Sequence, residues 1–378
     1  MDNKKVNVGI IGLGFGKEFI PIYQAHPNGG LIAICAPNEE RMNQVGDQFG
    51  IPSSLRYTDY LEMIANPELD AIHIVTPVIQ HYPMTMAALA AGKHVASTIP
   101  MATTVQQCQD IVKATRESGK VYMMMETALY TREYLYVKDL VQRGKLGRIQ
   151  FIRSDHMQNM AMEGWPAYWQ GFPPFLNGTH ALSPVVSLLG KRPKSVIAHG
   201  SGRLSEARAN NHGCPHSVIT ATFRFEDSDV VAESTRWINE TIRQCREGFD
   251  IYGTEASFEW ELMIDEGHVI HTGIDDAEKI YCPDTDQLLP PEVAKFTKRE
   301  TVSDTGHTSF RQGVGHGGSH PHLAHQFLRA IVEDRKAEVD EVLAATITCA
   351  GICAQESAMN DGVPVEIPDF GYRGHDNA

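Results

Sequence analysis

The chain contains no apolar run near the roughly 20 residues needed to cross a bilayer, so none of its 378 residues is expected to span a membrane. It is also short of base: 33 Lys and Arg face 47 Asp and Glu, a formal net charge of −14. Binding a phosphate backbone needs clustered cations, so the charge argues against a nucleic-acid partner, while a local basic pocket for an anionic substrate stays open. Cysteine is sparse, with seven residues and no metal-ligand spacing. Cys349 and Cys353 lie one helical turn apart in an apolar stretch and read as buried thiols. The start Met1-Asp2-Asn3-Lys4-Lys5 leads into a short apolar stretch that reads as a first strand, not a signal peptide. An odd cysteine count without a leader points to a reducing cytoplasm. There is no low-complexity tract and no internal repeat. What remains is a globular composition, 42% hydrophobic and 21% charged, long enough for two domains with buried cores.

The turn Gly12-Leu13-Gly14-Phe15-Gly16-Lys17 carries the most information. It follows the apolar run Val6–Ile11 and leads into a helix-like stretch, Lys17–Tyr23. Strand, glycine turn and helix in that order form the pyrophosphate cradle of a dinucleotide-binding unit. Gly12 serves the tight turn and Gly14 lets the backbone approach the phosphates at the positive end of the helix. The third glycine of the usual pattern falls at Lys17, with Gly16 one place early.

Strand and helix alternate through the first 125 residues. Strands are expected at Val6–Ile11, Leu31–Ala36, Ala71–Val75, His94–Ser97 and Val121–Met125. Helices are expected at Glu39–Phe49, Asp59–Ala65, Tyr82–Ala91 and Val105–Ser118, with Gly92 and Gly119 as stops. This β-α-β rhythm predicts a parallel sheet covered on both faces, with ligands at the carboxyl ends of its strands. Beyond residue 127 a helix at Glu133–Arg143 and a strand at Arg148–Asp155 precede period-2 runs at Ser217–Phe225, Asp229–Trp237, Gly248–Tyr252 and Ser257–Leu262. An open, mainly antiparallel sheet follows, one face covered by helices. Pro283–Gly318 reads as a long polar loop, a lid or an interface arm. Helices at His320–Glu333 and Val339–Asn360 and a strand at Val363–Ile367 close the chain.

The second strand ends Cys35-Ala36-Pro37-Asn38-Glu39-Glu40-Arg41, with Ala36 where an acidic residue would bind the adenosine ribose. NADP is therefore not excluded by charge, and Arg41 either faces a 2′-phosphate or pairs with a neighbouring glutamate in solvent. The third strand ends Val75-Thr76-Pro77-Val78-Ile79-Gln80-His81, and the fourth ends Lys93-His94-Val95-Ala96-Ser97-Thr98-Ile99-Pro100. The order of glycine loop, V-T-P-x-x-x-H and G-K-H-V leading to a proline resembles the glucose-fructose oxidoreductase/inositol dehydrogenase/MocA family. The likeness runs through Ile251-Tyr252-Gly253-Thr254-Glu255-Ala256 and the closing helices. It implies an α/β fold: an N-terminal Rossmann, doubly wound parallel sheet over residues 1–127, and an α+β domain over 128–378 for substrate binding and oligomerisation. It implies NAD as cofactor. The expected cofactor-binding residues are Gly12, Gly14, Phe15, Gly16, Pro37, Asn38, Arg41, Thr76, Pro77, His81, Thr98, Pro100 and Glu126.

The departures narrow the resemblance. Ordinary dehydrogenases of the family end the fourth strand Glu-Lys-Pro, and the lysine position is Ile99 here. They carry Asp four residues before a catalytic His, and in Leu176-Asn177-Gly178-Thr179-His180 that aspartate is Leu176. One branch is similar in lacking the lysine, the NAD-dependent glycoside hydrolases typified by bacterial α-N-acetylgalactosaminidases. Met123-Met124-Met125-Glu126, Thr179-His180-Ala181-Leu182-Ser183-Pro184 and His316-Gly317-Gly318 match its motifs, while Asn177 stands where that branch has tyrosine. The resemblance implies cleavage of a glycoside by transient oxidation at C3, elimination, water addition and re-reduction, without a flanking carboxylate pair. The alternatives are a sugar or glycoside 3-dehydrogenase using NAD or NADP, and a non-catalytic regulator that senses cofactor and sugar.

His180, Glu126 and His316 are the expected catalytic residues. Imidazole titrates near neutrality, which suits a base; a structural helix-start histidine is the plainer reading of His180. Glu126 ends a parallel strand, where a carboxylate is costly to bury without a role. His316 precedes two glycines, suiting close ligand approach or a simple surface turn. Trp165, Tyr168 and Trp169, with Asn177 and His180, are the expected substrate contacts; the aromatics either stack on a sugar or anchor a loop. His316, His320, His322 and His325 do not share one helical face, and no metal is expected. The partners implied are a small carbohydrate and further copies of the chain, as a dimer or tetramer.

Overall fold

The computed structural model describes residues 4–163, 165–244, 246–298 and 316–374. The chain forms two compact units, Met1–Tyr130 with Asp284–Ala345, and Thr131–Pro283 with Thr346–Ala378. The expected division after residue 127 falls close to the first crossing, but the segment 284–345 returns to the first unit.

In the first unit, strands β1 (Val6–Ile11), β2 (Gly29–Cys35), β3 (Arg56–Tyr57), β4 (Ala71–Ile74), β5 (His94–Ser97) and β6 (Tyr122–Met124) lie in the order β3-β2-β1-β4-β5-β6. Every pair is parallel. Val8, Ile10, Ile34, Ile72 and Val95 are sealed from solvent, as strands covered on both faces require. Helices α1 (Ile20–Ala25), α2 (Glu39–Gln48), α3 (Tyr60–Ala65), α4 (His81–Ala90) and α5 (Val105–Ser118) fill the connections. Asn38, Asp59 and Thr104 cap three of them through side-chain oxygens, and Gly119, at φ 64°, ends α5. The strand order reverses direction between β1 and β4, the place where such sheets open a ligand crevice. The helix expected over Lys17–Tyr23 starts instead as a 3-10 turn, Gly16–Phe19, and β3 was too short to raise a sequence signal.

The expected long loop is partly helical: a 3-10 turn at Asp286–Leu288, a helical turn at Pro291–Ala294 and another 3-10 turn at Lys295–Thr297. The rest of that expected lid, 299–315, lies outside the described residues. Helix Ser319–Val332 then packs against α1 and β1, and the Met124 amide donates to the Val339 carbonyl at 3.0 Å.

This packing gathers buried histidines. His26 Nε2 and His325 Nδ1 meet at 2.9 Å. Burial, then the charges of His325 and Arg329, push His26 down to about 3; burial and Arg329 take His325 to about 4. Burial alone takes His73 to about 3. Below the ordinary histidine range the unfolded chain binds protons that the fold refuses, so stability is full above that range and is lost as pH falls toward these values. A wholly buried histidine such as His73 removes up to about 1.4 kcal/mol per pH unit. Urea midpoints should therefore drop between pH ~7.5 and ~5; a constant midpoint would contradict the buried, neutral state of these rings.

In the second unit, β7 (Ile149–Met157), β8 (Pro193–Arg203), β9 (His216–Phe225), β10 (Val231–Trp237), β11 (Arg246–Gly253), β12 (Ser257–Glu259), β13 (His268–His271), β14 (Ala277–Ile280) and β15 (Val365–Glu366) form one sheet. The order is β14-β13-β12-β11-β7-β10-β9-β8-β15, antiparallel except for the β7/β10 pair. Helix α6 (Arg132–Gln142) precedes β7, and α7 (Thr179–Leu189) packs on β7, β10 and β11. A third helix, α8 (Glu206–His212), joins β8 to β9. Strand β8 was not expected from the sequence, and α7 only as the helix start in the plainer reading of His180.

Helix Glu341–Met359 corrects one sequence expectation. Its 19 residues, with mean hydropathy 1.3, are long and apolar enough to cross a membrane, yet 83% of that window is buried inside the protein. It is a core helix, tied to β8 where the Ala198 amide donates to Ser357 Oγ at 2.9 Å.

Candidate active site

In the first unit the glycine turn is tight for a measurable reason. Gly12 has φ +93°, and a Cβ there would sit 2.1 Å from the Val75 carbonyl oxygen. At Gly14, among the described residues and apart from its chain neighbours, only Arg41 Nη2 comes within 4 Å of such a Cβ, at 3.9 Å. The space over Gly14 is thus open to a phosphate, and the Arg41 guanidinium leans over it. A Cβ on Gly16 would lie 3.0 Å from Ile10 Cγ2 and 3.2 Å from Val75 Cβ. Gly16 therefore performs the helix–strand packing of the missing third glycine, one place early. These features fit a dinucleotide pyrophosphate.

Several expected cofactor residues are engaged within the protein. Asn38 Oδ1 accepts from the Arg41 amide at 2.8 Å and caps α2. The His81 ring is buried, with Nδ1 2.8 Å from the Pro100 carbonyl and Nε2 2.9 Å from that of Thr76. Burial pushes its pKa down, against the pull of those carbonyls. His81 braces the loop after β4, including Thr76 and Pro77, against the turn that carries Thr98, Ile99 and Pro100. Glu126, fully buried after β6, accepts from the Ala128 amide through Oε1 at 3.1 Å and caps a 3-10 turn. Pro37 sits between Ala36 and that Asn38 cap.

The His316-Gly317-Gly318 turn comes to the glycine loop. The Phe15 ring meets His316 edge-on at 6.0 Å and His320 at 5.3 Å. His320 Nδ1 stands 3.5 Å from Glu18 Oε2. His322 instead meets the Thr285 hydroxyl at 2.8 Å, and His325 meets His26. His316 and His320 thus share the Phe15 ring, while His322 and His325 go to other partners.

In the second unit three strands deliver a row. Across β10, β7 and β11, Ala232, Ile152 and Ile251 align; two residues on come Ser234, Ser154 and Phe249; two further come Arg236, His156 and Glu247. The period of 2 puts all nine on one face. On that face α7 lays His180, whose ring meets His156 edge-on at 5.0 Å. Ring nitrogens of His156 and His180 and a carboxylate oxygen of Glu247 all lie within 4.8 Å of one another, with His156 Nε2 3.5 Å from Glu247 Oε1. Arg236 is fully buried; its Nε donates to the Asn177 carbonyl at 2.9 Å and its Nη2 to Asn177 Oδ1 at 2.8 Å. Burial lowers its pKa to about 9, with the Glu247 charge opposing that fall. His180 itself sits in the first turn of α7, at the positive end of the helix dipole.

Asn177, expected to touch substrate, is thus gripped by Arg236. Trp169 is a core anchor, edge-on to Phe172 at 5.0 Å, whereas Trp165 and Tyr168 are half-buried. Sequence reading missed His156, Arg236 and Glu247. The available signal was an ionisable residue at an inward-facing strand position, and the expected strand stopped at Asp155, one residue short of His156.

Residues 6–126 match the model of the oxidoreductase family with NAD-binding Rossmann fold, and residues 134–259 match the GFO/IDH/MocA C-terminal domain, between them most of the chain. Glycosyl hydrolase family 109 proteins from Saccharopolyspora erythraea and Bacteroides thetaiotaomicron are 21% and 22% identical over 97% of this chain and 84% of each relative. One from Shewanella amazonensis is 29% identical over 203 residues, 49% of this chain and 45% of that protein, so this likeness spans about half of each. Among solved structures, levoglucosan dehydrogenase in complex with NADH superposes with TM-score 0.77 at 22% identity, over 97% of this chain and all of the other. Aldose-aldose oxidoreductase from Caulobacter crescentus gives 0.75 at 20%, over 96% and 100%. With its glycine cradle, its two sheets and both family models in place, the chain belongs to the Gfo/Idh/MocA oxidoreductase family and carries that family's NAD-binding Rossmann fold.

Proposed function

We propose that this chain is an NAD-dependent glycoside hydrolase, opening a glycosidic bond through transient oxidation at sugar C3. The observation that carries the reading is the alignment, over 97% of the chain, with proteins named glycosyl hydrolase family 109. Ile99 in place of the dehydrogenase lysine agrees with it. The Gly12–Gly16 turn would hold the pyrophosphate of NAD, whose nicotinamide would supply the chemistry of taking hydrogen with its electron pair from C3 and later returning it. His180 takes the C2 proton that the C3 ketone has made acidic. That C–H pair becomes the C1–C2 double bond as the C1 substituent leaves. Water adds its hydroxyl at C1, its other proton going to the departed oxygen, and His180 gives its own proton back at C2. The balance is hydrolysis, with no net oxidation.

An aryl glycoside panel tests this directly, following phenol release and the reduced-nicotinamide band together. The expected result is repeated phenol release without accumulating reduced cofactor. Reduced cofactor formed in proportion to sugar, without phenol, would instead assign a 3-dehydrogenase. Neither signal from cofactor-loaded protein would assign a regulator. Assembly as a homo-oligomer, and residence in a reducing cytoplasm, belong to the same proposal; free cysteines at 35, 108, 214, 282, 349 and 353 support the second.

A further inference from the structure

Resting on His180 as the base, the inward row of the second sheet has a role of its own. When His180 takes a proton it becomes a cation in an unwelcoming place. The positive end of α7 opposes it. Arg236, on β10, is a buried cation beside the same row, and Leu176 offers no charge where the family's dehydrogenases hold aspartate. From β7 the ring facing His180 is His156, and from β11 the facing group is Glu247. Helix α6 buries Tyr134 and Val137, and α7 carries no charged side chain. Asp155 pairs with Arg246 at 2.6 Å rather than joining the row.

We propose that Glu247 is the positioning residue of the base, its carboxylate stabilising the imidazolium that His180 becomes. It thereby supplies, from a different strand, the charge missing at Leu176. Its oxygen lies within 4.8 Å of a His180 ring nitrogen, close enough for strong coupling in a buried site. His156, 3.5 Å from Glu247 Oε1, fixes the carboxylate's approach and fills the space beside the base. No bond to Glu247 forms or breaks: the proton passes from C2 to His180 and back, and the carboxylate stays ionised. Two histidines and a carboxylate at this spacing also resemble a metal triad. The Arg236 cation already acts on Glu247, however, and a divalent ion would bring two further positive charges beside it.

The test uses the full chain with its cofactor, in two arms. The first needs no substrate: with nitrogen-labelled histidine, the His180 resonances, assigned by their loss in His180→Asn, are titrated by NMR. In Glu247→Gln they should titrate at lower pH than in the wild type; in Glu247→Asp, which keeps the charge but withdraws it by one methylene, the displacement should be smaller and in the same direction. Should the glutamine variant fail to fold, the aspartate variant carries this arm. The second arm follows aryl glycoside cleavage: kcat should fall at least about tenfold in Glu247→Gln, with KM little changed and the acidic limb of the pH profile moved to lower pH. Unmoved His180 resonances in a folded variant would overturn the proposal. So would a tightly held metal whose removal by chelator moves them as far. If no glycoside is ever cleaved, the proposed hydrolase fails while the NMR arm still decides the role of Glu247.

Discussion

Replacing His180 with alanine is expected to lower glycoside turnover by about 10²–10⁴-fold, while the nicotinamide cofactor stays bound. The two halves of that expectation come from different units. His180 opens α7 in the second unit, and the glycine cradle with Gly12, Gly14 and Gly16 belongs to the first. Removing one imidazole from the first turn of a helix leaves the Rossmann sheet untouched. It deletes the group proposed to accept the C2 proton. The measurement is kcat on an aryl glycoside, with native mass spectrometry reporting retained cofactor. Turnover at the wild-type rate would remove His180 from the mechanism.

The largest effect on stability is expected at Arg236. The variant Arg236→Met should lose about 3 kcal/mol or more of unfolding free energy, because it leaves the buried oxygens of Asn177 and His156 without their donor. Arg236 is wholly buried, and its guanidinium donates to both Asn177 oxygens and, at 3.3 Å, to the His156 carbonyl. Methionine fills the volume but satisfies none of those acceptors and strands the Glu247 charge. Lysine restores the charge without the planar fork that spans Asn177, so Arg236→Lys should recover only part of the loss. Urea unfolding measures both variants. A loss below about 1 kcal/mol for the methionine variant would mean that the guanidinium is not what holds the row together.

The parallel sheet of the first unit was legible almost strand by strand, because apolar runs bounded by Gly92 and Gly119 leave little freedom in where a buried strand starts. The glycine turn was legible too, down to the packing role of Gly16. Side-chain partners were not. Asn38, His81, Glu126 and Asn177 each looked suited to a ligand, and each spends at least one polar atom on capping or bracing the fold. Linear sequence cannot reveal such partners, since a Thr76 or Pro100 carbonyl is anonymous until the loops meet. The row of Arg236, His156 and Glu247 was hidden for another reason. It exists only through the register of three strands, fixed by long connections whose geometry leaves no local mark. The return of residues 284–345 to the first unit was hidden likewise, by contacts remote in sequence.

Strand β7 receives β10 alongside in the same direction and β11 head to tail. His156 is thereby clasped from two sides by ladders of opposite sense. Deleting a single residue of β10 before Arg236 would turn every later side chain of that strand through the sheet, carrying the guanidinium out to the far side. Lineages sharing this layout are free to lengthen the connections beyond these strands, but inside them only paired gains or losses keep the electrostatics intact, a parity rule written into the backbone.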